Sequence, residues 1–217
     1  LSKPSTVTPT MFVGLGGCGS DIAMNVAKML RKDPDFEEKY RDLIKFAIVD
    51  TNINDLEKHR ELADATFLIS DFEKAEYSKL ASGQLFLEPD EFFTQWIPED
   101  YRFRTGDTAG AGQIRIESRL GCYYQMKHGD FNAKFARLFD SMRAHNLGHR
   151  RIDTREIRIV ICYSVAGGTG SGAHLVLSYM LKDLARMVGK PVTVGVAVLP
   201  TVFEDKAGVN KDGIFAN

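Results

Sequence analysis

Three short glycine-rich runs carry residue types suited to phosphate chemistry. The first, Gly14-Leu15-Gly16-Gly17-Cys18-Gly19-Ser20-Asp21, satisfies GxGxxG. The second is Thr108-Ala109-Gly110-Ala111-Gly112-Gln113, and the third is Ala166-Gly167-Gly168-Thr169-Gly170-Ser171-Gly172. Glycine lets a backbone approach a pyrophosphate closely. A helix that starts in such a run offers unpaired N–H groups and the positive end of its dipole. Thr169 and Ser171 add hydroxyl donors to the third run. That run lacks the lysine of a GxxxxGK[ST] loop, which points to charge neutralised by backbone dipoles and a bound cation. Taken alone, the first run also fits a dinucleotide site with Asp50 on a ribose, or a plain structural turn. Asp50 lies about thirty residues past Gly19, against about twenty in the usual fingerprint. The second run, alone, reads equally as an anion site or a connector. Phosphates held by two or more separate helix N-termini account for the density of the third.

These runs need elements to position them. Thr10–Gly14, Lys45–Val49, Arg158–Tyr163 and Pro191–Leu199 are apolar runs of strand length. Helical spacing is read over Asp21–Leu30, Arg115–Lys127, Asn132–Ala144 and Leu175–Met187, with a shorter helix at Asn54–Leu62 capped by Asn54. Residues 63–105, punctuated by Pro89 and Pro98, are expected to form an irregular insertion containing Trp96. The alternation predicts an α/β fold, a Rossmann-like, mostly parallel sheet with helices on both faces. In such sheets ligands bind at the carboxyl ends of the strands, where all three runs fall.

Composition narrows the function classes. Of 217 residues, 44% are hydrophobic and 26% charged, with net charge −1, so no basic surface for nucleic acid is evident. No run approaches the roughly 18 apolar residues of a membrane helix. Cys18, Cys122 and Cys162 form no CxxC pair and read as buried thiols of a cytoplasmic protein. His145 and His149 have metal-ligand spacing, but Gly148 and the surrounding arginines read as a solvated loop. Arg115, Glu117 and Arg119 follow the second run and could reach a phosphate, but read first as a solvated helix face.

The three runs, taken with two further segments, resemble the tubulin/FtsZ superfamily. Ala166 to Gly172 matches its glycine-rich signature, and Gly14 to Gly19 its first nucleotide loop. Phe46-Ala47-Ile48-Val49-Asp50-Thr51-Asn52 is similar to the segment ending its second strand. Ala109-Gly110-Ala111-Gly112 resembles its γ-phosphate loop, and Leu199-Pro200-Thr201-Val202-Phe203-Glu204 its ribose loop. Gln113, Ser20 and Asp21 depart from the FtsZ pattern, so the whole resembles a divergent bacterial tubulin-like group.

The resemblance implies one GTP-binding domain over residues 1–217, with GTP or GDP and Mg²⁺ as ligands. It places Gly16, Gly17 and Cys18 on the α- and β-phosphates, with Asp21 toward the base or the cation. Asp50, Thr51 and Asn52 would flank the phosphates or hydrated Mg²⁺, and Ala109, Gly110, Ala111 and Gly112 would close on the γ-phosphate. Gly167, Gly168, Thr169, Gly170 and Ser171 would hold the β- and γ-phosphates, and Glu204 the ribose. It further implies filaments in which the subunit interface completes GTP hydrolysis. The acidic catalytic loop of that interface has no counterpart here, and the chain is expected to be truncated before the family's central helix. Two other readings stay open: a Rossmann-type NAD- or ATP-dependent enzyme, and a non-polymerising tubulin-like scaffold.

Overall fold

A computed structural model describes residues 7–70, 97, 101, 114–142 and 156–204. The chain runs β1 (Thr10–Leu15), α1 (Gly16–Leu30), α2 (Phe36–Lys39), β2 (Ile44–Asp50), α3 (Ile53–Glu57) and β3 (Ala65–Leu68). It continues through α4 (Arg115–Lys127), α5 (Phe131–Ser141), β4 (Glu156–Ser164), α6 (Gly168–Ala185) and β5 (Lys190–Val198) to a 3₁₀ turn at Pro200–Phe203. The five strands are all parallel, in the order β3-β2-β1-β4-β5. The winding direction therefore switches between β1 and β4, and crevices for ligands open at such a switch, beyond the strands' carboxyl ends.

Side-chain alternation splits the core into two layers. Met11, Val13 and Leu15 of β1 point with Ile157, Ile159 and Ile161 of β4 toward α4, α5 and α6. Phe46 and Ile48 of β2 face α1, α2 and α3 on the other side. On α5, Phe131, Phe135 and Phe139 recur every four residues and are all buried, so one helical stripe fills that layer. Phe135 stacks on Phe67 of β3 at 3.9 Å between centroids, which ties the edge strand to the helix. Burying each such ring contributes about 2 kcal/mol. α1 buries Ala23, Met24 and Ala27, small or slender residues that let it lie close to β1, β2 and β4.

Four strands fall where the apolar runs place them, and the differences have physical causes. Ala65–Leu68, inside the segment expected to be irregular, forms edge strand β3, and Ile69 extends its backbone bonding to the Asp50 carbonyl. The rest of that segment, with Trp96, lies outside the described residues apart from 97 and 101. α1 and α6 begin at Gly16 and Gly168, five and seven residues before the expected starts at Asp21 and Leu175. Helical propensity undervalues glycine, and here tertiary packing overrides it. β5 is regular yet open to solvent, with Val194 46% and Val196 40% exposed. Its register puts both valines on the α1 face beside Val160 and Cys162, beyond the strands that α1 covers.

Candidate functional site

The first and third glycine runs meet across the switch point. Gly16 has φ +69°, a conformation that glycine adopts freely and other residues resist. A Cβ there would stand 3.3 Å from Thr169 Cβ and 3.4 Å from the Gly170 nitrogen, so the two runs touch. α1 starts after Leu15 and α6 after Gly167, and neither has a side-chain cap. Their first N–H groups are therefore left for a ligand or water. Around Gly167 a Cβ would meet nothing within 4 Å, which leaves room for a ligand against the backbone.

β2 supplies the third wall. Asp50 ends the strand at 2% exposure. Its Oδ1 accepts from the Asn52 N–H at 3.1 Å and from one of two nearby hydroxyls, Thr169 at 3.3 Å or Thr51 at 3.5 Å. Thr51 and Thr169 share a hydrogen bond of 2.8 Å between hydroxyls, which clasps the β2 loop to the third glycine run. The other carboxylate oxygen, Oδ2, is buried with no hydrogen-bond partner. Burial pushes the Asp50 carboxyl up to about 6 and the nearby Asp55 carboxylate adds to the rise, against the bonds from Asn52, Thr51 and Thr169. A buried, orphaned carboxylate oxygen suits a cation. Among the described residues no group of three or more His, Cys, Asp or Glu side chains stands ready for a metal. A cation at Asp50 would therefore draw its remaining ligands from phosphate oxygens and water.

The remaining residues singled out from sequence divide as follows. Gly17 and Cys18 sit half-buried in the first turn of α1. Asn52 caps α3 by accepting from the Asn54 N–H at 3.0 Å, which places the cap two residues before the expected Asn54. Ser171 donates to the Gly167 carbonyl inside α6, so its hydroxyl is engaged within the protein. Asp21 lies on α1 with Oδ1 at 2.8 Å from both Lys58 Nζ and His59 Nε2. Burial alone would raise its pKa, but the bonds from Lys58 and His59 hold it below the usual carboxylate value. Glu204 is exposed just past β5, on the rim shared by the strand ends. Ala109, Gly110, Ala111 and Gly112, like His145 and His149, lie outside the described residues.

Two residues near the crevice, Asp55 and His174, escaped sequence reasoning, and a third, Arg115, departs from its expected place on a solvated face. Asp55 brings its carboxylate to 3.8 Å from a Cβ placed on Gly17; misplacing the α3 cap hid it. His174 stacks on Tyr163 at 4.5 Å and its Nδ1 lies 2.9 Å from the Ser171 carbonyl oxygen, bracing the first turns of α6. Arg115 donates to the Val165 carbonyl at 2.8 Å, and the helix face expected to be solvated carries Glu117 at 0% exposure. A separate pocket of about 450 Å³ between α3, β3, α4 and α5 contains none of the glycine-run residues. Its cations Arg60 and Lys134 are paired with Glu57 and Asp130, each at 2.8 Å.

Cys18, Cys122 and Cys162 form no disulfide with one another, and burial pushes Cys122 up to about 12. Among the described residues no helix is long and apolar enough to cross a membrane.

Among solved structures, the chain is similar to an empty FtsZ dimer from M. jannaschii, with 15% identity and a TM-score of 0.43 over 92% of this chain. It is also similar to TubZ in a GTPγS-form protofilament from Bacillus thuringiensis serovar israelensis, with 14% identity and a TM-score of 0.40 over 91% of this chain. The chain spans 37% of the length of each of those proteins. No curated protein sequence matches it. A family model described as tubulin-like matches residues 11–217, and on that match the chain belongs to the tubulin-like family.

Proposed function

We propose that residues 1–217 form a nucleotide-binding domain that holds GTP or GDP with Mg²⁺ in the crevice between β1 and β4. The observation that carries this reading is the orphaned Oδ2 of Asp50, buried where the β2 loop and two uncapped glycine-run helices converge. The residues fit the group. The starts of α1 and α6 offer N–H donors to phosphates, and Asp50 offers a buried acceptor to the cation that accompanies them. Bound there, Mg²⁺ would offset phosphate charge that no lysine of either run can meet. The choice of guanine rests on membership of the tubulin-like family. Burial of Asp50 argues against the dinucleotide reading, which needs that carboxylate open to a ribose. Glu204 is the better ribose acceptor, being exposed at the rim. The protein containing this domain then acts in the cytoplasm by assembling into filaments, with hydrolysis completed by acidic residues of the adjoining subunit.

Calorimetric titration of the chain with GTP, GDP, ATP and NAD, each with Mg²⁺, tests the reading. Binding of the guanine nucleotides alone is expected, and binding of NAD or ATP in their place would overturn it. Gly167→Leu supplies the site-specific arm. The backbone at Gly167 is extended, with φ −91° and ψ 166°, and the side chain enters empty space. The melting temperature should therefore stay within about 2 °C of wild type. GTP affinity should fall at least about tenfold, as the side chain occupies the phosphate's place. Unchanged affinity would remove the third run from the site.

A further inference from the structure

Arg115 is an odd residue for a structural role. It opens α4, and its Nη2 donates to the carbonyl of Val165, between β4 and the third glycine run. Its Nε is buried with no hydrogen-bond partner, and among the described residues no carboxylate pairs with it. Burial pulls its pKa below the usual arginine value, as expected for a cation kept partly from water. Guanidinium groups in such surroundings ordinarily meet a carboxylate or phosphate with two parallel N–H donors. Here a single neutral carbonyl holds the group.

Its position is fixed by backbone contacts. A Cβ on Gly172 would stand 2.9 Å from Ser118 Cβ and closer still to the Arg115 carbonyl, so the first turns of α4 and α6 are pressed together. From there the guanidinium reaches the Val165 carbonyl, two residues before Gly167, around which an added Cβ would meet nothing within 4 Å. Thr169, farther along the same run, is bound to Asp50 and Thr51. One glycine run thus has a carboxylate at one end and, among the described residues, an uncompensated guanidinium at the other.

We propose that Arg115 reads the terminal phosphate of a bound nucleoside triphosphate, leaving the Val165 carbonyl to form charge-assisted hydrogen bonds with it. The inference rests on the nucleotide-binding reading above. It gives the bound ligand a direction: cation toward Asp50, outermost phosphate toward Arg115. It also makes Arg115 a residue that separates triphosphate from diphosphate.

The test is calorimetry of the whole chain with GTP, GDP and inorganic tripolyphosphate in Mg²⁺, on wild type, Arg115→Gln and Arg115→Lys. Gln keeps a donor for Val165 and loses the charge, whereas Lys keeps the charge. Wild type is expected to prefer GTP to GDP. Arg115→Gln should weaken GTP and tripolyphosphate about tenfold and GDP less than about twofold, while Arg115→Lys stays within about threefold of wild type. Melting temperatures close to wild type would show that both variants are folded. If Arg115→Gln keeps the wild-type ratio of GTP to GDP affinity, Arg115 is a brace for α4 and the proposal fails while nucleotide binding stands. If wild type binds neither nucleotide nor tripolyphosphate, both fail together.

Discussion

Gly19→Ala is expected to destabilise the protein by about 3 kcal/mol or more, a large fraction of the stability of a typical domain. The added Cβ would stand 2.8 Å from the carbonyl carbon of Cys162 and nearer to its oxygen. Neither partner can give way cheaply. β4 is hydrogen-bonded on both sides, with Gly14↔Cys162 toward β1 and Cys162↔Val196 toward β5. α1 can retreat only by lifting Ala23, Met24 and Ala27, all 0% exposed, away from the sheet. Gly17→Ala is the control from the same run, since its Cβ would make an ordinary 3.8 Å contact with Asp55. Denaturant unfolding followed by circular dichroism measures both. A Gly19→Ala unfolding free energy within about 1 kcal/mol of wild type would mean that α1 does not press on β4 as described.

The second large effect is a dependence on pH carried by Asp50. Its carboxyl is raised to about 6 in the folded chain, against 3.8 for an unperturbed aspartate. A raised carboxyl pKa means that the folded state holds its proton more tightly than the unfolded state. Its contribution to stability is therefore complete below about pH 4 and is lost as pH rises through about 6. Two pKa units correspond to roughly 3 kcal/mol. Asp50→Asn imitates the protonated form and does not titrate. In a chelator and without nucleotide, its advantage over wild type should grow from near zero at about pH 4 to on the order of 3 kcal/mol at pH 7. Parallel stability profiles for the two proteins between pH 4.5 and 7.5 would show that Asp50 is not the desolvated group described here.

Features governed by local backbone demands were legible in the sequence. Apolar runs closed by glycine or Asp50 mark β1, β2 and β4, since strands buried in a parallel sheet need little polar alternation. The first and third glycine runs show themselves because a positive φ at Gly16 and contacts at Gly19 and Gly172 exclude larger residues. Features created by distant partners were not legible. β3 is four residues long and becomes a strand by adding to β2 and receiving Phe135. Glu117 on α4 gives no local sign of burial, yet the Tyr101 hydroxyl donates to it at 3.1 Å. The Arg115–Val165 bond joins residues 50 apart, and no periodicity records it.

The hydroxyl clasp between Thr51 and Thr169 spans 118 residues of chain, and that separation has a kinetic consequence. β1 waits for β4 to complete its pairing, so the crevice does not exist until most of the sheet has closed. Closing long loops carries an entropic cost that falls before the native contacts form, which makes parallel sheets slow to assemble. A ligand that recognises only the finished crevice finds no site in the early folding ensemble. It therefore lengthens the lifetime of the folded chain by slowing its unfolding, and leaves the rate at which the chain first folds almost untouched.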